Sequence, residues 1–270
     1  MRDDHSDAEP TERSKESVGD IFRTVIYALL IALAFRTILF QPFSIPSGSM
    51  KSTLLIGDYL FVSKYAYGYS RFSLPYGDLL PSFGGRLLGA TPERGDVIVF
   101  KQPGDTSTDY IKRLVGLPGD RIQLIRGVLH LNGEPVGLRR VTDFREPVQS
   151  RGVGGTQLCS ERTADRETCI KYRSVETLPN GRSHFVLDAD GVLGSSDNTR
   201  VYVVPEGHYF FMGDNRDNSL DSRRSPLEGG IGFVPAENLV GRAEMILFSA
   251  RGSFFSFWTW RGDRFFKWIE

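Results

Sequence analysis

Residues 96–115 read DVIVFKQPGDTSTDYIKRLV. Asp96 to Lys101 is apolar and β-branched, as strands are. Gln102 to Thr108 gathers turn-forming residues, and Tyr110 to Val115 returns to strand character. This is the pattern of a β-hairpin with a loop of several residues. Strand alternation sets Tyr110, Lys112 and Leu114 on one face, with Ile111, Arg113 and Val115 on the other. A lysine between such neighbours is either at a sheet edge with its head in water, or partly buried.

Outward from the hairpin the same punctuation repeats. Gly116 to Asp120 is a turn, Arg121 to Ile125 and Val128 to Leu131 are strands, and Asn132-Gly133 signals a tight turn. Tyr59 to Lys64 upstream, and Val201 to Val204 and Tyr209 to Met212 downstream, also have strand character. With 29 glycines and few helical segments, the expected fold is mainly β, built on an antiparallel β-sheet core. From Arg139 to Arg200 the composition turns polar and charged, which is expected to mark an inserted, smaller β-rich subdomain. The organisation expected is a disordered tail over 1–20, a transmembrane anchor over 21–40, a main β domain over 41–138 and 201–270, and the insert over 139–200.

The 270 residues are ample for a buried core, and 33 basic residues balance 33 acidic ones. No basic field points to nucleic acid, so none is expected as a partner. The four histidines are scattered and the cysteines number two, so a zinc site lacks ligands. Cys159 and Cys169 share one polar stretch. A disulfide there requires an oxidising compartment, and the alternative is two free thiols.

Residues 21–40 read IFRTVIYALLIALAFRTILF. A helix of that length spans about 30 Å, the thickness of a bilayer core. Arg23 and Arg36 lie near the ends, where long side chains reach the headgroups. A removable secretory signal fits less well, because Arg36 interrupts the apolar run and no Ala-x-Ala site follows. A buried core helix is the third reading. The cysteine pair orients the anchor, with the bulk of the chain on the oxidising side. At the far end, Phe254 to Trp268 sets Phe and Trp among Arg and Lys, an anchor chemistry for membrane surfaces.

Directly after the apolar run stands FSIPSGSM, Phe43 to Met50. Serine, glycine and proline there are read either as turn residues or as the setting of a nucleophile. A serine hydroxyl needs a base, and no histidine has the context of one. The remaining base is a lysine held neutral. A free lysine titrates near about 10.4, so burial must lower that by about two pH units. Gly213 to Arg224, GDNRDNSLDSRR, carries three carboxylates and three arginines. It is either a charged surface loop or a buried network.

Phe43 to Met50, Tyr110 to Asp120 (YIKRLVGLPGD) and Gly213 to Arg223 (GDNRDNSLDSR) resemble, in order, the signature segments of bacterial type I signal peptidases. Gly57-Asp58 after the serine agrees as well. Members of that family are membrane-anchored proteases with a Ser-Lys dyad. The resemblance implies Ser49 as nucleophile and Lys112 as general base, with the Ser49 backbone N–H and the Ser47 hydroxyl holding the oxyanion. It implies that Ser219 hydrogen-bonds the lysine amine, and that Arg113, Asp214, Asp221 and Arg223 form a supporting network. Phe43, Ile45, Pro46, Met50, Leu54, Tyr110 and Ile111 fall where the family lines shallow apolar pockets for small side chains. The implied substrates are secretory preproteins cut after a small-x-small motif. Membrane lipid is the other partner, and no cofactor or metal is expected. The implied location is the bacterial inner membrane, single-pass, with a cytoplasmic N-terminus and a periplasmic catalytic domain. One position departs: Ser52 stands where the family usually has proline.

Two rival readings differ in kind. Self-cleaving Ser-Lys proteins such as the SOS-response repressors carry a DNA-binding module, and this chain has no basic helical one. A membrane-tethered β-rich binding protein would use the charged loop as its partner site.

Overall fold

The hairpin expected at 96–115 forms as strands Val97–Gln102 and Asp105–Gly116, with Gln102 paired to Asp105 and only Pro103 and Gly104 between. The loop is therefore shorter than expected. Residues 105–109 are mostly exposed, so their polarity marks a solvated strand end, and the β-branched Thr106 and Thr108 still favour extended backbone there.

The computed structural model describes residues 18–74, 85–148, 157–189, 196–252 and 255–270. Of the tail expected over 1–20, residues 1–17 lie outside the described residues, as does Phe254, and residues 18–20 are helical instead of disordered. In chain order the first elements are helix α1 (Val18–Ile38) and strands β1 (Phe40–Ser44), β2 (Asp58–Ser63), β3 (Val97–Gln102) and β4 (Asp105–Gly116). Next come β5 (Arg121–Ile125), β6 (Val128–Leu131), β7 (Glu134–Pro135), β8 (Gly137–Arg140) and β9 (Phe144–Pro147). Then follow β10 (Glu161–Arg162), β11 (Thr168–Thr177), β12 (Ser183–Asp188) and β13 (Tyr202–Val203). The last four are β14 (His208–Met212), β15 (Val234–Pro235), β16 (Leu239–Ser249) and β17 (Lys267–Trp268).

The fold is mainly antiparallel β. An eight-stranded sheet runs β1-β2-β16-β3-β4-β14-β15, with β17 added on β16. Strand β4 thus lies inside the sheet between β3 and β14, which removes the edge reading of Lys112. The alternation of the hairpin explains how both faces are covered. Val97 and Val99 pack with Ile45, Met50, Leu54 and Ile246, while Ile98, Phe100 and Leu114 pack with Tyr209 and Phe211. Phe100 and Phe211 stack with centroids 4.5 Å apart, and each buried ring contributes about 2–3 kcal/mol.

A four-stranded sheet, β13-β5-β6-β7, adjoins this one. Its β6–β7 turn is the Asn132-Gly133 pair, both with positive φ (57° and 95°), as a tight two-residue hairpin turn requires. The third sheet has β10-β11-β12 in line, with β8 and β9 also on β11. It spans Gly137 to Asp188, and its Cys159 and Cys169 are disulfide-bonded.

Helix α1 begins three residues earlier and ends two earlier than the 21–40 expected, because Phe40 already pairs with Ser63 in the sheet. None of its residues is buried, so it is not a core helix. It is long and apolar enough to cross a membrane.

Candidate active site

The SGS segment is held between the large sheet and the 213–219 loop. Just past it, Gly57 has φ +87°, and a Cβ there would collide with the Ala250 carbonyl, so only glycine allows the turn. Asp58 is fully buried. It accepts from Ser249 Oγ at 2.5 Å, and from Arg264 Nη2 at 2.5 Å, which ties the C-terminal segment beneath the serine loop. On the other side Gly213 touches that loop. A Cβ on it would stand 2.6 Å from the Ser49 carbonyl and would collide with Ser219 Oγ.

Lys112 Nζ lies 2.5 Å from Ser49 Oγ and donates to the Ile111 carbonyl at 3.2 Å. Both residues are buried, at 3% and 7% exposure. Burial pushes the Lys112 amine down to about 8, Arg223 pushes the same way, and Asp221 and Asp214 pull it back only in part. The Tyr110 ring stands 5.5 Å from the amine. Ser47 Oγ is 3.4 Å from Ser49 Oγ.

The charged loop is a buried network and not a solvated surface. Arg113 meets Asp214 through both arms, Nε to Oδ1 at 2.9 Å and Nη2 to Oδ2 at 2.8 Å. Asp221 pairs with Arg223 at 2.9 Å on both oxygens and accepts from the Gly213 N–H at 3.0 Å. Burial alone would raise both carboxyls, but Arg113 and Arg223 outweigh it and hold them below the usual carboxylate range.

Ser219 lines the cleft with Ser49 and Lys112, but it does not bond the lysine amine as expected. The amine is committed to Ser49 and the Ile111 carbonyl instead. The apolar residues expected to line pockets also divide. Tyr110 lines the cleft, which measures about 660 Å³. Phe43 and Ile111 are half-buried against the core, and Pro46 is exposed. Ile45, Met50 and Leu54, at 4%, 1% and 0% exposure, belong to the packed core beneath. Leu54 in particular has no surface to offer a ligand, because the large sheet closes over it.

Several residues that hold the site were not singled out from sequence. Asn215 is fully buried. It donates from Nδ2 to the Gly48 carbonyl at 2.8 Å and from its backbone N–H to the Ser49 carbonyl at 3.0 Å. It sits inside the GDN run, so the signal was present without the role. Thr53 donates to Asp214 Oδ2 at 2.5 Å. Behind this, Glu176 accepts from Arg216 at 2.5 Å, and His184 Nε2 stands 3.2 Å from it. Burial would raise Glu176, but Arg216 and His184 hold it well below the carboxylate range, while burial pushes His184 down. Glu176 and His184 come from the third sheet, and nothing local in the sequence links them to Arg216.

Residues 18–248 match the family model described as signal peptidase, peptidase S26. The chain belongs to that family. The curated signal peptidase I of Rickettsia typhi (strain ATCC VR-144 / Wilmington) is 43% identical over 245 residues, 88% of this chain and 83% of that protein. That of Rickettsia massiliae (strain Mtu5) is 40% identical over 257 residues, 93% of this chain and 86% of that one. A crystal structure of a signal peptidase I from Enterococcus faecalis V583 aligns with TM-score 0.28 and 23% identity, over 57% of this chain and 97% of that one. The peptidase S26 family is one of serine endopeptidases, and the chain is an enzyme of that class. Membership supports cleavage of signal peptides, and with α1 it fits a membrane-anchored enzyme.

Proposed function

We propose that this family member removes N-terminal signal peptides from exported preproteins after a small-x-small motif, with Ser49 as nucleophile and Lys112 as general base. The observation that carries the reading is the 2.5 Å contact between Lys112 Nζ and Ser49 Oγ inside a buried setting. Dryness is what makes an amine usable as a base near neutral pH. The neutral amine takes the Ser49 proton as Oγ attacks the scissile carbonyl. The resulting ammonium then gives that proton to the leaving amine of the mature chain. The acyl-enzyme holding the signal peptide is hydrolysed by a water that the same lysine deprotonates.

The Ser49 N–H and the Ser47 hydroxyl are the proposed oxyanion donors. Arg113–Asp214 and Asp221–Arg223 keep the elements on either side of Lys112 in place. Tyr110, Phe43, Ile111 and Pro46 have the surface needed to contact the residues before the cut, and Ser219 shapes the same cleft. In this reading α1 crosses the bacterial inner membrane with the N-terminus cytoplasmic. The catalytic units, 41–138 and 201–270, and the insert, 139–200, then lie in the periplasm, where the Cys159–Cys169 bond is stable. The exposed rings of Phe257, Trp258 and Trp268 suit contact with membrane lipid.

The test is cleavage of a secretory precursor in detergent by the wild type, Ser49→Ala and Lys112→Met. Each variant is expected to lose at least about 10⁴-fold in kcat. Full activity in either would end the dyad reading, and an inert wild type would favour a binding protein.

A further inference from the structure

Lys51 follows Ser49 by two residues, in a place where a lysine ordinarily reaches for water. Here its side chain is 5% exposed and its Nζ lies 2.6 Å from Glu146 Oε2. The side chain folds back under the serine loop, so that a Cβ on Gly48 would stand 3.0 Å from Lys51 Cε. Glu146 comes from β9, which places the partner in the third sheet. Its other oxygen is 3.6 Å from Nζ of Lys171 on β11, whose side chain is fully buried. Lys171 Nζ in turn donates to Asn215 Oδ1 at 3.4 Å. Asn215 grips the carbonyls of Gly48 and Ser49. The Lys51 N–H donates to the Gly48 carbonyl at 3.2 Å, so the contacts close a ring: Gly48, Lys51, Glu146, Lys171, Asn215, and back to Gly48.

Charges this dry add little net stability, because desolvation offsets their attraction. A buried network of paired charges does hold its members to one geometry. Glu146 is the hub, since without its charge two buried ammonium groups face each other unscreened.

We propose that Glu146 is a positioning residue for the peptidase reaction. Through its ion pairs with Lys51 and Lys171, the third sheet holds the Gly48–Ser49 segment where Ser49 Oγ meets Lys112. This rests on the Ser49–Lys112 reading above. It gives the inserted sheet a role directed at the nucleophile and not at the substrate.

The experiment uses the full chain in detergent, with kcat and KM on a precursor peptide and the rate at which a fluorophosphonate probe phosphonylates Ser49, with loss of fluoride. The probe reports nucleophile geometry without the substrate cleft. Glu146→Gln and Lys51→Met are each expected to lower kcat and the probe rate together by about 10- to 100-fold, as small misplacements do, with KM within about twofold. The double variant is expected to lose no more than the worse single one, because both cut the same link. Should Glu146→Gln fail to fold, Glu146→Asp keeps the charge, and the same joint fall in kcat and probe rate is expected at smaller size. Wild-type probe rates in the folded variants, or a raised KM with an unchanged probe rate, would overturn the proposal. Cleavage by Ser49→Ala would instead sink the dyad reading, and the two failures are thereby distinguished.

Discussion

At the scale of single residues, the proposed base Lys112 is expected to set the pH behaviour of the enzyme. Its amine is pushed down to about 8 by burial, and in the proposed mechanism only the neutral form takes a proton from Ser49. Activity as kcat/KM is therefore expected to rise with pH through about 8. A rise delayed to the range of a solvated lysine would mean that another group is the base. The same displacement has a stability consequence of fixed sign. Between pH 8 and 10.5 the unfolded chain binds the proton and the folded chain does not, so this group's contribution improves as pH rises through that window. Below it the cost is complete, about 3 kcal/mol. Lys112→Met is thus expected to be inactive yet no less stable than wild type at pH 7 in urea unfolding. A clear loss of stability would mean that the amine is not held at a cost.

At the scale of elements, β4 shows how far pattern reasoning reaches. Period-two alternation correctly separated the faces of Tyr110, Lys112 and Leu114 from those of Ile111, Arg113 and Val115. It could not say that β4 is an interior strand, because that depends on β14 arriving from residues 208–212. Nor could it separate residues that keep some surface from core. Phe43 and Leu54 are both apolar, and only the packing of β16 and β2 over Leu54 removes its surface. The third sheet is the element fastened by the disulfide. Its Cys159–Cys169 bond closes a loop with a sequence separation of 10, which the loop-entropy argument values at about 2–3 kcal/mol. The double Cys159→Ser, Cys169→Ser variant is expected to unfold at correspondingly lower urea. An unchanged midpoint would show that the loop is ordered without its bond.

At the scale of the whole molecule, α1 and the β sheets are nearly independent. Among the described residues helix α1 buries none of its own, and it meets the large sheet near its end, where Phe35 lies 5.7 Å from Phe40 between ring centroids. A variant beginning at residue 39 is expected to keep its melting temperature within a few degrees. In liposome flotation it is expected to bind weakly but measurably, through the exposed rings of Phe257, Trp258, Phe266 and Trp268. Complete loss of binding would assign all membrane affinity to α1, and a collapse in melting temperature would show packing between the helix and the sheets.

Local signals in the sequence were enough for the antiparallel β class, the apolar helix, the Asn132-Gly133 turn and the cysteine pair, because each depends on neighbours a few residues apart. The family followed from three motifs in fixed order. What only tertiary structure decided is how dry each polar group is and which distant partner it meets. Lys112 beside Ser49, Asn215 on the Ser49 carbonyl and Glu146 under Lys51 join segments 63, 166 and 95 residues apart. Burial and charge pairing across such separations arise from the packing of whole sheets, and no local window of sequence contains them.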